Sequence, residues 1–120
     1  MQTGSKVIIA GGREFNNFGY LEDELNVLRD GCGIEVVCGE AKGADELGKE
    51  YAFRNSFPVA SFPANWAEHG KAAGPIRNKE MAEYADILVA FWDGKSRGTK
   101  NMIDAALKYN LEVHVFIFSS

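Results

Sequence analysis

Short runs of apolar and β-branched residues alternate with longer amphipathic stretches along almost the whole chain, and this alternation restricts the fold more than any other feature. Strands that alternate with helix-length segments are typical of βαβ units, in which parallel strands form one sheet. The predicted strands cover residues 6–10, 34–38, 58–62, 86–91 and 112–118. The sequence therefore predicts an α/β fold with a mainly parallel five-stranded sheet.

Four amphipathic segments, at residues 20–28, 44–54, 73–84 and 99–109, separate these strands. In the first of them Leu21, Leu25 and Leu28 recur at helical spacing, which places them on one face. Each segment is long enough to connect two parallel strands, which gives a Rossmann-like three-layer arrangement with helices flanking the sheet. Residues 63–74 are predicted as the one long loop, and the last strand also suits a sheet edge.

Length and composition predict a single globular domain over residues 1–120. With 46% hydrophobic and 25% charged residues, the chain can form a core without disulfides, so we expect Cys32 and Cys38 to be reduced thiols. A leader-like N-terminus and a membrane-length apolar run are both absent from the sequence, and we expect a cytoplasmic protein with no membrane partner. The net charge of −4 argues against nucleic acid as a partner, although a local basic cleft is compatible with it.

The segments that follow the strands are the places to look for a ligand, because open parallel sheets bind ligands outside the carboxyl ends of their strands. Glycine lets the backbone approach a ligand closely, and the first turn of a helix offers free N–H groups and partial positive charge. The four segments read "GGREF" (11–15), "GEAKGAD" (39–45), "PANWAEHGKAAGPIRN" (63–78) and "WDGKSRGT" (92–99). Their glycines and basic residues predict an anion site.

The segment after the second strand carries more glycine and charge than a turn requires. One glycine and a cap such as Asp45 would suffice, yet Gly39, Lys42 and Gly43 are all present. They favour a phosphate or carboxylate over the helix start, and the alternative is an ordinary turn with a solvated lysine. Asp45 either caps the helix or orients ribose hydroxyls. The segment matches neither a P-loop nor Gly-x-Gly-x-x-Gly.

The segment after the fourth strand has similar features. Gly98 and Thr99 stand where a helix is predicted to begin, and Ser96 adds a second hydroxyl. Lys95 and Arg97 add positive charge, unless they are ordinary surface groups. The alternative role of Thr99 is that of a simple N-cap. We expect this helix start and the previous one to follow neighbouring strands and to form one cleft.

The first and third segments supply further candidates. Gly11, Gly12 and Arg13 directly follow the first strand, where a ligand comes closest to the sheet. Arg77 and Asn78 lie near a predicted helix start, which suits a bidentate contact with phosphate. The alternative for each arginine is an ion pair with a nearby carboxylate.

Trp66 and Trp92 are candidates for stacking a nucleotide base, and the alternative for both is a partly buried packing role. Histidine, cysteine and carboxylate residues lack metal-ligand spacing, so we expect no metal site in the protein itself. A magnesium ion carried by the phosphates of a ligand is compatible with the sequence.

In their order, the segments "GGREF", "GEAKGAD", "PANW", "AGPIRNKEMAEYAD" and "WDGKSRGT" resemble the small, often phage-associated YspA/YpsA-like members of the SLOG superfamily. That superfamily also contains the DprA-type DNA-binding proteins and the LOG phosphoribohydrolases. The resemblance runs from about residue 7 to the last strand, and it is specific because separate motifs recur in one order. It implies a Rossmann-like fold that binds nucleotides or nucleotide-derived ligands.

The resemblance to the LOG group is partial. In that group, the arginine of Arg-Lys-x-x-Met and the final glutamate of Pro-Gly-Gly-x-Gly-Thr-x-x-Glu serve cleavage of a nucleoside monophosphate. Arg77 and Met81 match the first motif, and Gly98 and Thr99 match the Gly-Thr of the second. Met102 stands in place of the glutamate, and a thioether cannot perform acid–base chemistry.

Two functions stay open at this point. The first is a module that binds or senses a nucleotide-like small molecule, for example one similar to ADP-ribose, and Met102 favours it. The second is a LOG-like N-glycosidase, or another nucleotide hydrolase, in which Arg77 stabilises charge and Glu40, Asp45 or Asp93 supplies the acid–base group. DprA-like binding of single-stranded DNA fits poorly with the acidic balance.

Pairing of two copies through the apolar faces of the third and fourth predicted helices would give a homodimer.

Overall fold

The computed structural model describes residues 1–119, and within them the predicted α/β fold is confirmed. The elements are β1 (Ser5–Gly11), α1 (Phe18–Arg29), β2 (Ile34–Cys38), α2 (Ala44–Asn55), β3 (Val59–Ser61), α3 (Trp66–His69), α4 (Ala73–Tyr84), β4 (Ile87–Trp92), α5 (Arg97–Lys108) and β5 (Glu112–Ile117). Each predicted strand and helix is present, with ends within one or two residues of those predicted. None of the helices described could span a bilayer, since none is both long and apolar enough.

The five strands form one sheet in the order β3-β2-β1-β4-β5, and every pairing in the described chain is parallel. β1 is central, with Ile8 opposite Val37 of β2 on one side and Leu88 of β4 on the other. The chain builds outward from β1 to β3, returns across the sheet, and then continues through β4 to β5. The direction of winding therefore reverses between β1 and β4.

Both faces of the sheet are covered, which explains why its central strands are continuous apolar runs. Side chains alternate between faces along a strand, so Val7 and Ile9 of β1 belong to one buried cluster while Ile8 and Ala10 belong to the other. The first cluster is completed by α1 and α2, which contribute Leu21, Leu25, Tyr51 and Ala52. The second cluster is completed by α4 and α5, which contribute Met81, Ala82, Met102 and Ala106.

The prediction of a long loop at residues 63–74 is wrong. This connection contains α3 and a 3₁₀ turn over Gly70–Ala72, which leads directly into α4. The side chain of Asn65 caps α3 by accepting a hydrogen bond from the N–H of Glu68 at 3.1 Å. Because α3 has four residues and buries none of them, it leaves no helical periodicity in the sequence.

The apolar faces of α4 and α5, which the sequence offered as a surface for pairing two copies, are used within the domain. They pack against the sheet in the second cluster. Of the large apolar side chains on these two helices, Ile76 and Leu107 stay exposed to solvent. Assembly into a homodimer stays a prediction.

Candidate functional site

A pocket of about 590 Å³ lies at the carboxyl edge of the sheet, where the winding reverses between β1 and β4. Its volume is within the range of small-molecule sites. The lining comes from the end of β1, the loops after β1, β2 and β4, and the helices α2, α3, α4 and α5. It includes the predicted site residues Gly11, Arg13, Asp45, Trp66, Arg77, Asn78, Ser96, Gly98 and Thr99.

Three buried polar side chains meet in this pocket. Asp45, Asn78 and Thr99 are 5%, 5% and 4% exposed, and they are the buried polar or charged residues of the described chain. They come from α2, α4 and α5, and all three line the pocket. Burial of polar groups costs free energy unless hydrogen-bond partners are supplied. Three buried polar side chains around one pocket therefore make this pocket the candidate functional site.

Asp45 does not cap α2, so the first of its two sequence interpretations is wrong. The N-cap residue is Gly43, which has no side chain to bond. Oδ2 of Asp45 instead accepts hydrogen bonds from the backbone N–H groups of Gly39 at 2.9 Å and Ala41 at 3.3 Å. The loop donors that the sequence assigned to an anionic ligand are therefore occupied by a carboxylate of the protein.

Burial raises the pKa of Asp45 from its ordinary 3.8 to about 6. The two backbone N–H groups and the positive charge of Arg77 lower this pKa and partly offset the effect of burial, while Glu40 raises it further. Oδ1 of Asp45 has no hydrogen-bond partner within residues 1–119. Within residues 1–119, every side-chain oxygen that is fully buried has a hydrogen-bond partner. Because Oδ1 has none, it is not fully buried. Oδ1 is therefore open to the pocket that Asp45 lines.

Arg77 is held by neutral groups, not by the ion pair that was its alternative in the sequence. Its Nη1 donates to the carbonyl oxygen of Gly39, and its Nε donates to Oδ1 of Asn78 at 3.0 Å. A Cβ atom at position 39 would overlap the guanidinium group. Glycine is thus required at Gly39 so that the Arg77 side chain can lie against the loop after β2.

Asn78 connects this arginine to the start of α5. Its Nδ2 donates to Oδ1 of Asn101 at 2.9 Å and to the carbonyl oxygen of Gly98 at 3.4 Å. Asn101 also lines the pocket, and sequence reasoning missed it. It lies three residues after Gly98, so helical spacing would have placed it on the same face once the helix start was fixed.

The start of α5 is open to the pocket. Ser96 is its N-cap and accepts from the N–H of Thr99 at 3.4 Å, so Thr99 is not the cap that one sequence interpretation made it. Oγ1 of Thr99 donates to Oγ of Ser96 at 3.2 Å. The N–H groups of Arg97 and Gly98 have no acceptor within residues 1–119, and a Cβ atom at Gly98 would meet nothing within 4 Å.

The other predicted glycines serve packing between the loops after β1 and β2. Gly43 has a φ of +81°, and a Cβ atom there would overlap the carbonyl oxygen of Gly12 and lie 2.9 Å from Cα of Arg13. A Cβ atom at Gly12 would lie 3.2 Å from Cζ of Phe118. Gly12 and Gly43 are outside the pocket lining, and so is Lys42, which is exposed.

Glu40, Trp92 and Asp93 also lie outside the lining. Glu40 forms an ion pair with Lys49 at 2.6 Å, and this hydrogen bond lowers the pKa of Glu40. Asp93 accepts from the N–H groups of Ser96 and Lys95, both at 2.8 Å, which lowers the pKa of Asp93. Trp92 donates from Nε1 to the carbonyl oxygen of Ser96 at 3.1 Å. Asp93 and Trp92 thus shape the loop before α5.

The expectation that the starts of α2 and α5 follow neighbouring strands is wrong. β2 and β4 are separated by β1, and the two helices lie on opposite faces of the sheet. Three arginines, Arg13, Arg77 and Arg97, line the pocket against the single carboxylate of Asp45, so the pocket is more basic than the chain. Residues 1–119 contain no group of three or more His, Cys, Asp or Glu side chains arranged to hold a metal ion.

The chain has the fold of two proteins of known structure. It superposes on DNA processing protein A (DprA) from Streptococcus pneumoniae with a TM-score of 0.73 and 15% identity, over 94% of this chain and 50% of DprA. It superposes on the protein TM1055 with a TM-score of 0.65 and 20% identity, over 94% of this chain and 72% of TM1055. The chain thus spans about half the length of DprA.

Sequence comparison adds a relative and a family. The chain is 36% identical over 118 residues to the Gene 61 protein of Mycobacterium phage D29, covering 90% of this chain and 93% of that protein. The model of the YspA, cpYpsA-related SLOG family matches residues 5–69, which run from β1 to the end of α3. The resemblance found in the sequence is therefore confirmed, and the chain belongs to the YspA, cpYpsA-related SLOG family.

Proposed function

We propose that this protein is a binding or sensing module whose pocket holds a nucleotide or a nucleotide-derived small molecule. The observation that carries the proposal is that Asp45, Asn78 and Thr99 are buried and yet all line one pocket of small-molecule size. Polar groups that converge on one cavity are what orients a polar ligand. Membership in the SLOG family and the shared fold support a nucleotide-related ligand.

The phosphate of the ligand is proposed to lie at the start of α5. The free N–H groups of Arg97 and Gly98 and the helix dipole favour an anion there. Arg13 and Arg77 line the same pocket and add charge-assisted hydrogen bonds. Any magnesium ion would arrive with the phosphates, because the residues described offer no cluster of ligands for it.

The base is proposed to stack on Trp66. This side chain is 59% exposed and lines the pocket from α3. An exposed indole ring beside a polar pocket suits stacking, which tolerates any base. A free nucleotide fits better than a DNA strand, since the chain carries a net charge of −4.

A hydrolase is the second candidate, and one observation favours it. Asp45 lines the pocket with a pKa of about 6, which suits a general acid or base near neutral pH. Met102 argues against the LOG-like version, because this buried thioether lines the pocket where that group has its glutamate.

The test is a panel of nucleotides and NAD derivatives, ADP-ribose among them, assayed by thermal shift for binding and by chromatography for consumption. We expect at least one compound to raise the Tm of the wild type and of Lys108→Ala, which removes an exposed charge at the far end of α5. Arg77→Ala should abolish the rise. A panel that leaves the Tm unchanged would contradict the proposal, and consumption of a ligand would establish the hydrolase instead.

A further inference from the structure

We infer that Asp45 binds the ribose hydroxyls of the ligand and makes the pocket selective for ribonucleotides over deoxyribonucleotides. The inference rests on the proposed nucleotide ligand and adds the class of sugar to it. It starts from the two oxygens of the buried Asp45 carboxylate, because Oδ2 accepts two hydrogen bonds and Oδ1 accepts none within residues 1–119.

The orientation of this carboxylate is fixed before any ligand arrives. Oδ2 accepts from the N–H groups of Gly39 at 2.9 Å and Ala41 at 3.3 Å. Rotation of the carboxylate would break both bonds. A group held in this way does not have to be ordered on binding, so its contact with a ligand keeps most of its free energy.

Oδ1 is an acceptor without a donor, in a residue that is 5% exposed. Arg77 and Glu40, the two charged side chains whose fields act on Asp45, do not supply this donor. Arg77 bonds to Gly39 and Asn78 and makes no ion pair with Asp45, although its charge lowers the pKa of Asp45. Glu40 is paired with Lys49 and is itself an acceptor. A buried charged oxygen gains most from a hydrogen bond, so the missing donor must come from the ligand or from water.

The chemistry of a nucleotide decides which part can supply that donor. Phosphate oxygens are acceptors and would repel the carboxylate, so the phosphate belongs at the α5 start among the arginines. The ribose diol presents two neutral O–H donors, and an acidic side chain is the usual partner of ribose hydroxyls in this type of fold. The amino groups of some bases are the other donors, and the experiment separates the two sources.

The experiment measures by calorimetry, at pH 7.5, the affinities for AMP, GMP, CMP and UMP and for their 2′-deoxy counterparts, together with 3′-deoxy-AMP. For the wild type we expect loss of a sugar hydroxyl to weaken binding by roughly tenfold or more, whichever base is present. In Asp45→Asn the ribonucleotides should bind more weakly and the ratio should fall to about twofold, since a neutral amide replaces the charged acceptor. Asp23→Asn, at an exposed position of α1, makes the same change of charge and should keep the wild-type ratio.

A second measurement does not depend on the variant. A hydroxyl donor stabilises the charged carboxylate, so AMP should release more protons on binding near pH 6 than 2′-deoxy-AMP or 3′-deoxy-AMP does, as seen by calorimetry in two buffers. Equal affinities for both sugars, or a preference that follows the base, would overturn the inference while leaving nucleotide binding intact. So would an Asp45→Asn variant that loses affinity for both sugars by the same factor. Failure of every nucleotide to bind would contradict the proposed function itself.

Discussion

The stability of the domain should depend on pH through Asp45, and Asp45→Asn should remove that dependence. The pKa of the carboxyl is about 6 in the folded protein, against an ordinary value of 3.8, because burial penalises the charged form. Below about pH 3 the carboxyl is protonated in both the folded and the unfolded chain, and there is no penalty. As the pH rises from about 3 through about 6, the unfolded chain loses this proton while the folded chain still holds it, so the free energy of unfolding falls.

The magnitude follows from the two pKa values. A difference of about 2 pH units, at about 1.4 kcal/mol per unit, amounts to roughly 3 kcal/mol lost between about pH 3 and pH 7. Asparagine has the same shape, and its amide oxygen can still accept from the N–H groups of Gly39 and Ala41. The free energy of unfolding of Asp45→Asn, measured relative to the wild type, should therefore rise by about 3 kcal/mol over this range.

The assay is urea unfolding followed by tryptophan fluorescence at half-unit steps of pH, with wild type, Asp45→Asn and Asp23→Asn in parallel. Other carboxyl groups titrate in the same range, but apart from the substituted residues they are common to all three proteins and cancel in the differences. The Asp23 side chain is exposed on the surface of α1, so its variant should follow the wild type within about 0.5 kcal/mol. A difference between Asp45→Asn and wild type that stays constant from pH 4 to pH 7 would refute the argument from burial.

Three further substitutions test other parts of the structure. Gly43→Ala should lower the free energy of unfolding by about 2 kcal/mol or more, because φ is +81° and the new methyl group meets the carbonyl of Gly12. A loss of less than about 0.5 kcal/mol in urea unfolding would contradict this prediction. Gly39→Ala should lower the free energy of unfolding by only about 1 kcal/mol, since its methyl group displaces the flexible end of Arg77. Displacement of Arg77 should also reduce the nucleotide-induced rise in Tm. An undiminished rise would show that this position of Arg77 is not needed for binding. Tyr51→Phe should lower the free energy of unfolding, measured in urea, by about 1–2 kcal/mol. The lost hydroxyl group donates to an α1 asparagine at 2.6 Å and accepts from an α1 arginine at 2.6 Å. Unchanged stability would mean that water replaces both bonds.

Much of the fold could be predicted because it rests on local patterns. The central strand β1 is apolar on successive residues, as expected for a strand covered on both faces, and α4 begins and ends at the predicted residues. The carboxyl-edge rule identified the loops that meet at the pocket. The short α3 escaped prediction, since one helical turn has no measurable period.

The roles of individual site residues could be predicted less well. Glycines at the loop after β2 were interpreted as room for a ligand, but Gly39 makes room for Arg77, and Gly43 makes room for the backbone of Gly12. Both partners are distant along the chain, so no local pattern indicates them. One of the two sequence interpretations of Asp45 is a bond to its own helix, but in the structure Asp45 accepts from N–H groups of the loop before that helix.

The sequence by itself determined the elements, their parallel arrangement and the family, because periodicity and motif order are properties of neighbouring residues. Only the tertiary structure decided that β1 lies between β2 and β4, and that Arg77 reaches the carbonyl of Gly39 across 38 positions of the chain. It also decided which oxygen of Asp45 is used and which is free. The physical reason is that hydrogen bonding and burial depend on which distant groups come within about 3 Å of one another, and this is settled when the layers pack.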